Sequence, residues 1–86
     1  MKSQDPPLIL VVDDEKEVLE KVANVLTEAG FDCQCCKTAQ AAIEFAAMHT
    51  PDMIVSDINL GGHSGLEMCE RIKEDEALKS VPIMFL

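Results

Sequence analysis

The stretch LILVVDDEKEVLEKVANVLTEAG, residues 8–30, changes its pattern of apolar residues partway along. It opens with Leu8–Val12, an unbroken apolar run that is typical of a strand buried on both faces of a parallel sheet. After Asp13-Asp14 the apolar residues recur at helical spacing until Gly30, a residue type that commonly follows the last turn of a helix. The stretch therefore predicts a strand and then a helix over residues 15–29, with an inward stripe of Val18, Leu19, Val22, Ala23, Val25, Leu26 and Ala29.

The alternation of strand and helix continues along the chain. Phe31–Cys36 alternates apolar and polar residues, which predicts a less buried strand at a sheet edge. Thr38 can cap a second helix that Pro51 prevents from continuing, with inward residues Ala42, Ile43, Ala46 and Ala47. Met53–Val55 begins a third buried strand, which closes with Ser56-Asp57.

The last part of the chain repeats this unit after Gly61-Gly62-His63, which predicts a loop. Ser64 to Glu67 matches the S-x-x-E capping box, so a third helix is expected from Ser64, with a core stripe of Leu66, Cys69 and Ile72. Val81–Leu86 predicts a fourth apolar strand. The order βαβαβαβ favours an α/β fold with a doubly wound parallel sheet of strand order 2-1-3-4, in one domain over residues 8–86 after a lead-in at residues 1–7.

The composition excludes several classes of function. A net charge of −9 argues against a nucleic-acid or anionic-membrane surface, because phosphates would be repelled. Cys33 and Cys36 have the C-x-x-C spacing of redox and metal sites, but in a strand such residues point to opposite faces. Small buried side chains are the simpler interpretation. A cytoplasmic location is expected, where cysteines stay reduced.

Three aspartates follow strands that the fold makes neighbours. Asp13 and Asp14 end the first strand and Asp57 ends the third, so all should meet at the carboxyl edge of the sheet. Carboxylates so close together repel, unless one holds a proton or a cation lies among them. Mg²⁺ suits such an oxygen site and would bring phosphate oxygens to it, where a carboxylate could attack phosphorus. Taken singly, each aspartate could equally be a cap or turn residue.

In these aspartates and in the segments around them, the sequence resembles the receiver domain of two-component response regulators. The likeness rests on ILVVDDE (residues 9–15), PDMIVSDINL (51–60), SGLEMCERIK (64–73) and VPIMFL (81–86). It implies the flavodoxin-like receiver fold and a phosphoprotein of signal transduction that takes a phosphoryl group from a sensor histidine kinase or a histidine phosphotransfer protein, as in a phosphorelay.

The resemblance also implies roles for individual residues. Asp57 would be the phosphoacceptor, and Asp13, Asp14 and Asp57 together the catalytic acidic set. Asp14 and Asp57 would bind Mg²⁺ (or Mn²⁺) directly, Asp13 through water, and Asn59 through its backbone carbonyl. The Asn59 side chain would lie near the phosphoryl group. No nucleic acid or membrane would be a partner of this domain.

Compared with the family pattern, the sequence is interpreted as a receiver truncated after the fourth strand, or as one part of a complete receiver. The hydroxyl and lysine switch residues, the last strand and the last two helices would all follow Leu86. A fourth strand left at the edge would expose Ile83, Phe85 and Leu86 and favour self-association of the chain.

Two other functions remain open at this point. One is a pseudo-receiver, a protein-interaction module that is not phosphorylated. The other is a phosphohydrolase with an aspartyl nucleophile, which would have D-x-D where this chain has Asp57-Ile58-Asn59. The leading interpretation is a regulator that catalyses its own phosphorylation and is not an enzyme acting on a small substrate.

Overall fold

The computed structural model describes residues 6–60 and 62–86, so residues 1–5 of the expected lead-in and Gly61 lie outside the described part. The elements follow in the order β1 (Leu8–Val12), α1 (Lys16–Glu28), β2 (Asp32–Cys36), α2 (Ala39–His49), β3 (Met53–Ser56), β4 (Asn59–Leu60), β5 (His63–Ser64), α3 (Gly65–Lys73) and β6 (Ile83–Phe85). No helix among the described residues combines the length and apolar character needed to cross a membrane.

The main sheet is parallel, with strand order β2-β1-β3-β6. This order confirms the predicted 2-1-3-4 arrangement, since β6 is the expected fourth strand. It places β1 and β3 side by side in the centre, with Val12 opposite Ser56 at their carboxyl ends. It also places β2 at one edge, as its alternating composition predicted.

Two hydrophobic clusters cover the two faces of the sheet, as a doubly wound fold requires. Successive residues of β1 divide between them: Ile9 and Val11 pack with Leu19 of α1, whereas Leu10 and Val12 pack with α2 and α3. The unbroken apolar run of β1 is thus explained, because Leu10, Val11 and Val12 are fully buried between two layers of helices.

Caps confirm the predicted end of α1 and the predicted starts of α2 and α3. Gly30 follows α1 with a φ of +98°, while the amides of Gly30 and Phe31 donate to the carbonyls of Thr27 and Leu26. This pair of bonds is the Schellman motif, which favours glycine at that position. The Thr38 hydroxyl accepts from the Ala41 amide at 3.1 Å, and the Ser64 hydroxyl accepts from the Leu66 amide at 3.1 Å.

Parts of the predicted inward stripes are wrong. Val25 of α1 is 66% exposed, and Ala29 and Ala47 are exposed as well. In α3, Leu66 is 53% exposed, while Met68, which the stripe omitted, is buried beside Ile72. Helical spacing locates a stripe but not its centre. Packing selected the long side chains Leu19 and Leu26 in α1, and Met68 and Ile72 at positions i and i+4 in α3.

A polar turn joins α3 to β6 and is anchored by one lysine. The Lys73 ammonium donates to the carbonyls of Lys79 at 2.9 Å and Val81 at 2.6 Å. Leu78, in the middle of this otherwise polar segment, is only 2% exposed and joins the cluster beneath α2 and α3. These contacts fix where the chain enters β6.

Candidate metal centre

The ends of β1 and β3 bring the predicted acidic residues together. The Asp57 amide donates to the Val12 carbonyl at 3.0 Å, and the Asp13 amide donates to the Cys36 carbonyl at 3.1 Å. Both backbones are therefore still tied into the sheet at the residues that carry the carboxylates. The side chains emerge at the carboxyl edge of neighbouring parallel strands, where ligands bind in open α/β sheets.

Asp13, Asp14 and Asp57 each place one carboxylate oxygen within 4.8 Å of the other two. Asp13 is buried, Asp57 is half-buried and Asp14 is exposed, so the cluster extends from the sheet edge into solvent. Three anionic oxygen donors at this spacing repel one another in the absence of a counter-charge. The donor set fits a hard divalent cation such as Mg²⁺, which prefers carboxylate oxygens and retains several waters.

Local hydrogen bonds orient two of the three carboxylates. Asp13 Oδ1 accepts from the Glu15 amide at 2.9 Å, a bond that also turns the chain into the first residues of α1. Asp57 Oδ1 accepts from the Asn59 amide across a longer 3.4 Å. The Asp57 carboxylate is therefore held more loosely by its own loop than the Asp13 carboxylate.

The backbone of Asp57 is fixed from two sides. The Ser56 hydroxyl, fully buried, donates to the Asp57 carbonyl oxygen at 2.8 Å. Gly65, also buried, donates its amide to the Ile58 carbonyl, so the start of α3 lies directly against the Asp57-Ile58 peptide. Neither Ser56 nor Gly65 was among the predicted site residues. Their position beside Asp57 depends on how the loop folds back, which residue spacing does not reveal.

A small hairpin is formed by β4 and β5, which flank the glycine pair of the segment predicted as a loop at residues 61–63. Asn59 pairs with Ser64 and Leu60 with His63 in an antiparallel ladder, and Gly62 has a φ of +93°. The loop interpretation was therefore wrong for His63, which lies in β5. The pair Gly61-Gly62 is itself a two-residue hairpin signal that could have predicted the ladder.

The C-x-x-C cysteines do not form a site. Cys36 packs in the cluster with Leu10 and Val12, whereas Cys35 packs against Leu19 on the opposite face of the sheet. Cys33 shares the face of Cys35, two residues along the strand. Burial raises the pKa of all three thiols above the ordinary 9.0, so they remain protonated and weakly nucleophilic at neutral pH.

Comparison with known proteins places this geometry in a family. Residues 9–86 match the family described as "Response regulator receiver domain". The phosphate regulon transcriptional regulatory protein PhoB of Pseudomonas aeruginosa is 38% identical over 78 residues, which are 91% of this chain and 34% of PhoB. The polar-differentiation response regulator DivK of Brucella anthropi is 27% identical over 92% of this chain and 64% of DivK. The chain thus spans about a third of the first relative and under two thirds of the second.

Solved structures agree with the fold. The chemotaxis response regulator CheY4 of Vibrio cholerae superposes with a TM-score of 0.90 at 25% identity, over 93% of this chain and 67% of CheY4. A putative response regulator from Chloroflexus aurantiacus gives a TM-score of 0.89 at 28% identity, over 94% of this chain and 66% of that one.

Proposed function

The chain belongs to the response regulator receiver domain family, and we propose that it is a phosphorylation-dependent signalling module whose Asp57 accepts a phosphoryl group from a histidine kinase or a histidine phosphotransfer protein. The observation that carries the proposal is the convergence of Asp13, Asp14 and Asp57, with one oxygen from each within 4.8 Å. Of the three, Asp57 combines partial exposure with a carboxylate that only a long hydrogen bond holds. Asp14 is more exposed, so it is the family resemblance and not exposure that assigns the role of nucleophile to Asp57.

The transfer exchanges one covalent bond for another. A carboxylate oxygen of Asp57 attacks the phosphorus of a phosphohistidine, so that an O–P bond forms as the P–N bond breaks. The electron pair of the P–N bond stays on the imidazole nitrogen, which takes up a proton from water. The Asp57 carboxylate becomes an acyl phosphate, and the negative charge of the phosphoryl group remains at the sheet edge.

Within this proposal, Asp14 and Asp57 would hold Mg²⁺ or Mn²⁺ directly, Asp13 would act through water and Asn59 through its backbone carbonyl. When bound, the cation would neutralise charge on the phosphoryl oxygens and so lower the repulsion between phosphodonor and carboxylates. Asp13 is well suited to a supporting role, because the Glu15 amide fixes its orientation and burial restricts its motion.

The partner and output follow from the same proposal. The phosphorylated chain would change its contacts with a partner or output domain, while the chain itself is a phosphoacceptor and not an enzyme with turnover. We place the exchange in the cytoplasm, and the four free cysteines are in keeping with a reducing compartment. An interaction module without phosphorylation, the pseudo-receiver, is the competing function, but the close approach of three carboxylates favours an acceptor site.

Phosphoramidate supplies a test that needs no knowledge of the kinase. Incubating the chain with Mg²⁺ and phosphoramidate should give one labile phosphoryl adduct in the intact mass spectrum, with release of ammonia. Asp57→Asn should abolish the adduct, because the amide is not a nucleophile. Asp32→Asn, which changes an exposed aspartate on β2, is the matched control and should be labelled like the wild type.

Two results would contradict the proposal. An adduct that persists in Asp57→Asn would place the acceptor elsewhere. A folded wild-type chain that gains no adduct would favour the pseudo-receiver.

A further inference from the structure

We propose that Gly65, at the start of α3, is a positioning residue for cation binding and phosphoryl transfer at Asp57. The inference rests on the proposed function, and it assigns to Gly65 the task of fixing the peptide that follows Asp57. Gly65 would act without touching either the cation or the phosphoryl group.

The space around Gly65 explains why a side chain is excluded there. A Cβ built on Gly65 would lie 2.4 Å from the Asp57 carbonyl oxygen and 3.1 Å from both Cα and the carbonyl oxygen of Ile58. The first distance is shorter than real Cβ contacts allow. All three obstructing atoms belong to the backbone, so no side-chain rotation can relieve the contact. A methyl group at this position must therefore push the Asp57-Ile58 peptide and α3 apart.

The backbone of Asp57 has little freedom to move. Its amide is bonded to Val12 in β1, and its carbonyl oxygen accepts from the buried Ser56 hydroxyl. Displacing the carbonyl would break the Ser56 contact or tilt the peptide plane. Either change alters the direction in which the Asp57 side chain leaves the backbone, and hence its distance from Asp13 and Asp14. It also moves the Asn59 amide that bonds the Asp57 carboxylate.

The chain offers a matched control in a second glycine. Gly30 has a φ of +98°, and a Cβ added to it would meet no other atom. Gly65 has no positive φ, but a Cβ added to it would collide with backbone atoms. Gly30→Ala therefore introduces backbone strain far from the aspartates. Gly65→Ala introduces a steric contact with Asp57 but no unfavourable φ. A purely structural role for Gly65 would make the two variants resemble each other in every property except the degree of stability.

The test measures Mn²⁺ binding to the wild type and both variants by the electron paramagnetic resonance signal of free Mn²⁺, and labelling by phosphoramidate in parallel. Gly65→Ala should bind Mn²⁺ about tenfold more weakly, the usual scale for disturbing the surroundings of metal ligands. The ¹³C resonance of the Asp57 carboxylate in the metal-free protein should shift as well. Gly30→Ala should keep the wild-type Mn²⁺ affinity and the wild-type Asp57 resonance, although it should unfold at a lower urea concentration than the wild type.

Wild-type Mn²⁺ affinity and an unchanged Asp57 resonance in Gly65→Ala would overturn the inference, while a wild-type adduct on Asp57 would leave the proposed function standing. A wild type that neither binds Mn²⁺ nor gains an adduct would overturn both. If Gly65→Ala does not fold, Ser56→Ala removes the restraint on the other side of the same carbonyl without adding a contact. Weaker Mn²⁺ binding in folded Ser56→Ala would support the inference, and undiminished binding would overturn it.

Discussion

Thr50 ends α2 with a φ of 43°, a left-handed backbone conformation that β-branched residues rarely adopt. The position is a helix C-cap whose amide donates to the Ala46 carbonyl, and glycine or asparagine is the usual residue in this conformation. The next residue, Pro51, is fully buried and fixes the direction of the chain. The left-handed residue therefore lies between the last turn of α2 and a buried proline.

We expect Thr50→Gly to stabilise the chain. Removing the side chain relieves the cost of the left-handed conformation, about 1–2 kcal/mol for an ordinary residue, and part of that gain is lost to the greater freedom of glycine in the unfolded chain. A net rise of about 0.5–1 kcal/mol in the free energy of unfolding is expected from urea denaturation followed by circular dichroism. Gly30→Ala makes the opposite exchange and should lower the same quantity by a similar amount. A less stable Thr50→Gly would contradict this account.

At the scale of elements, the sequence predicted which segments form strands and helices better than how they are oriented. Apolar runs and helical spacing predicted the four main strands and the three helices, because an element buried on one or two faces has a characteristic spacing of apolar residues in its sequence. Val25 and Leu66 were misplaced since several rotations of a helix bury similar apolar area. The close contact of Gly65 with Asp57 was unpredictable for a different reason: it depends on how closely the start of α3 approaches the end of β3, and not on the residue pattern of either element.

The junction of α3 and β6 depends on Lys73, whose ammonium donates to two backbone carbonyls. Lys73→Met should keep much of the side-chain packing but leave those carbonyls without their charged donor, lowering the free energy of unfolding by about 1–3 kcal/mol. The β6 amides should become less protected, and so should the amide of the next residue, Leu86, which donates to the Ser56 carbonyl. Hydrogen exchange followed by nuclear magnetic resonance measures both effects.

Lys79→Met is the control for that change. The Lys79 ammonium lies 3.5 Å from a Glu76 carboxylate oxygen in an exposed pair, an arrangement that contributes little to stability. Its stability should stay close to that of the wild type. Equal losses in the two lysine variants would show that the carbonyl contacts of Lys73 are not what holds β6.

For the whole molecule, the predicted strand order was confirmed because doubly wound sheets have few alternatives, and the order alone brings Asp13, Asp14 and Asp57 to one edge. The same order leaves β6 as the outer strand on the side of the described sheet opposite β2. Of the residues predicted to be exposed there, only Leu86 is, at 58%. Ile83 and Phe85 are half-buried, and Met84 is 52% exposed instead. Backbone groups along such an edge can pair with a second chain, whereas a net charge of −9 opposes association.

We expect the 86-residue chain to associate reversibly, and more strongly at high salt, where repulsion is screened. Met84→Lys should weaken association, because a charged side chain on an edge strand disfavours pairing. Sedimentation velocity over a range of concentrations measures the effect. Val25→Lys makes the same substitution at a 66% exposed position on α1 and should associate like the wild type. A wild-type chain that stays monomeric at high concentration and high salt would refute the expectation.

The pairing of Val12 with Ser56 has a kinetic consequence. The carboxylates that follow these residues come from distant parts of the chain and meet only after β1 and β3 have docked, so the unfolded chain contains no preformed site. A cation that prefers the assembled cluster acts on the native state and on whatever part of the transition state already contains this strand pair. If β1 and β3 pair late, saturating Mg²⁺ slows unfolding and leaves refolding unchanged. If they pair early, it speeds refolding instead, so the cation reports when the centre of the sheet is assembled.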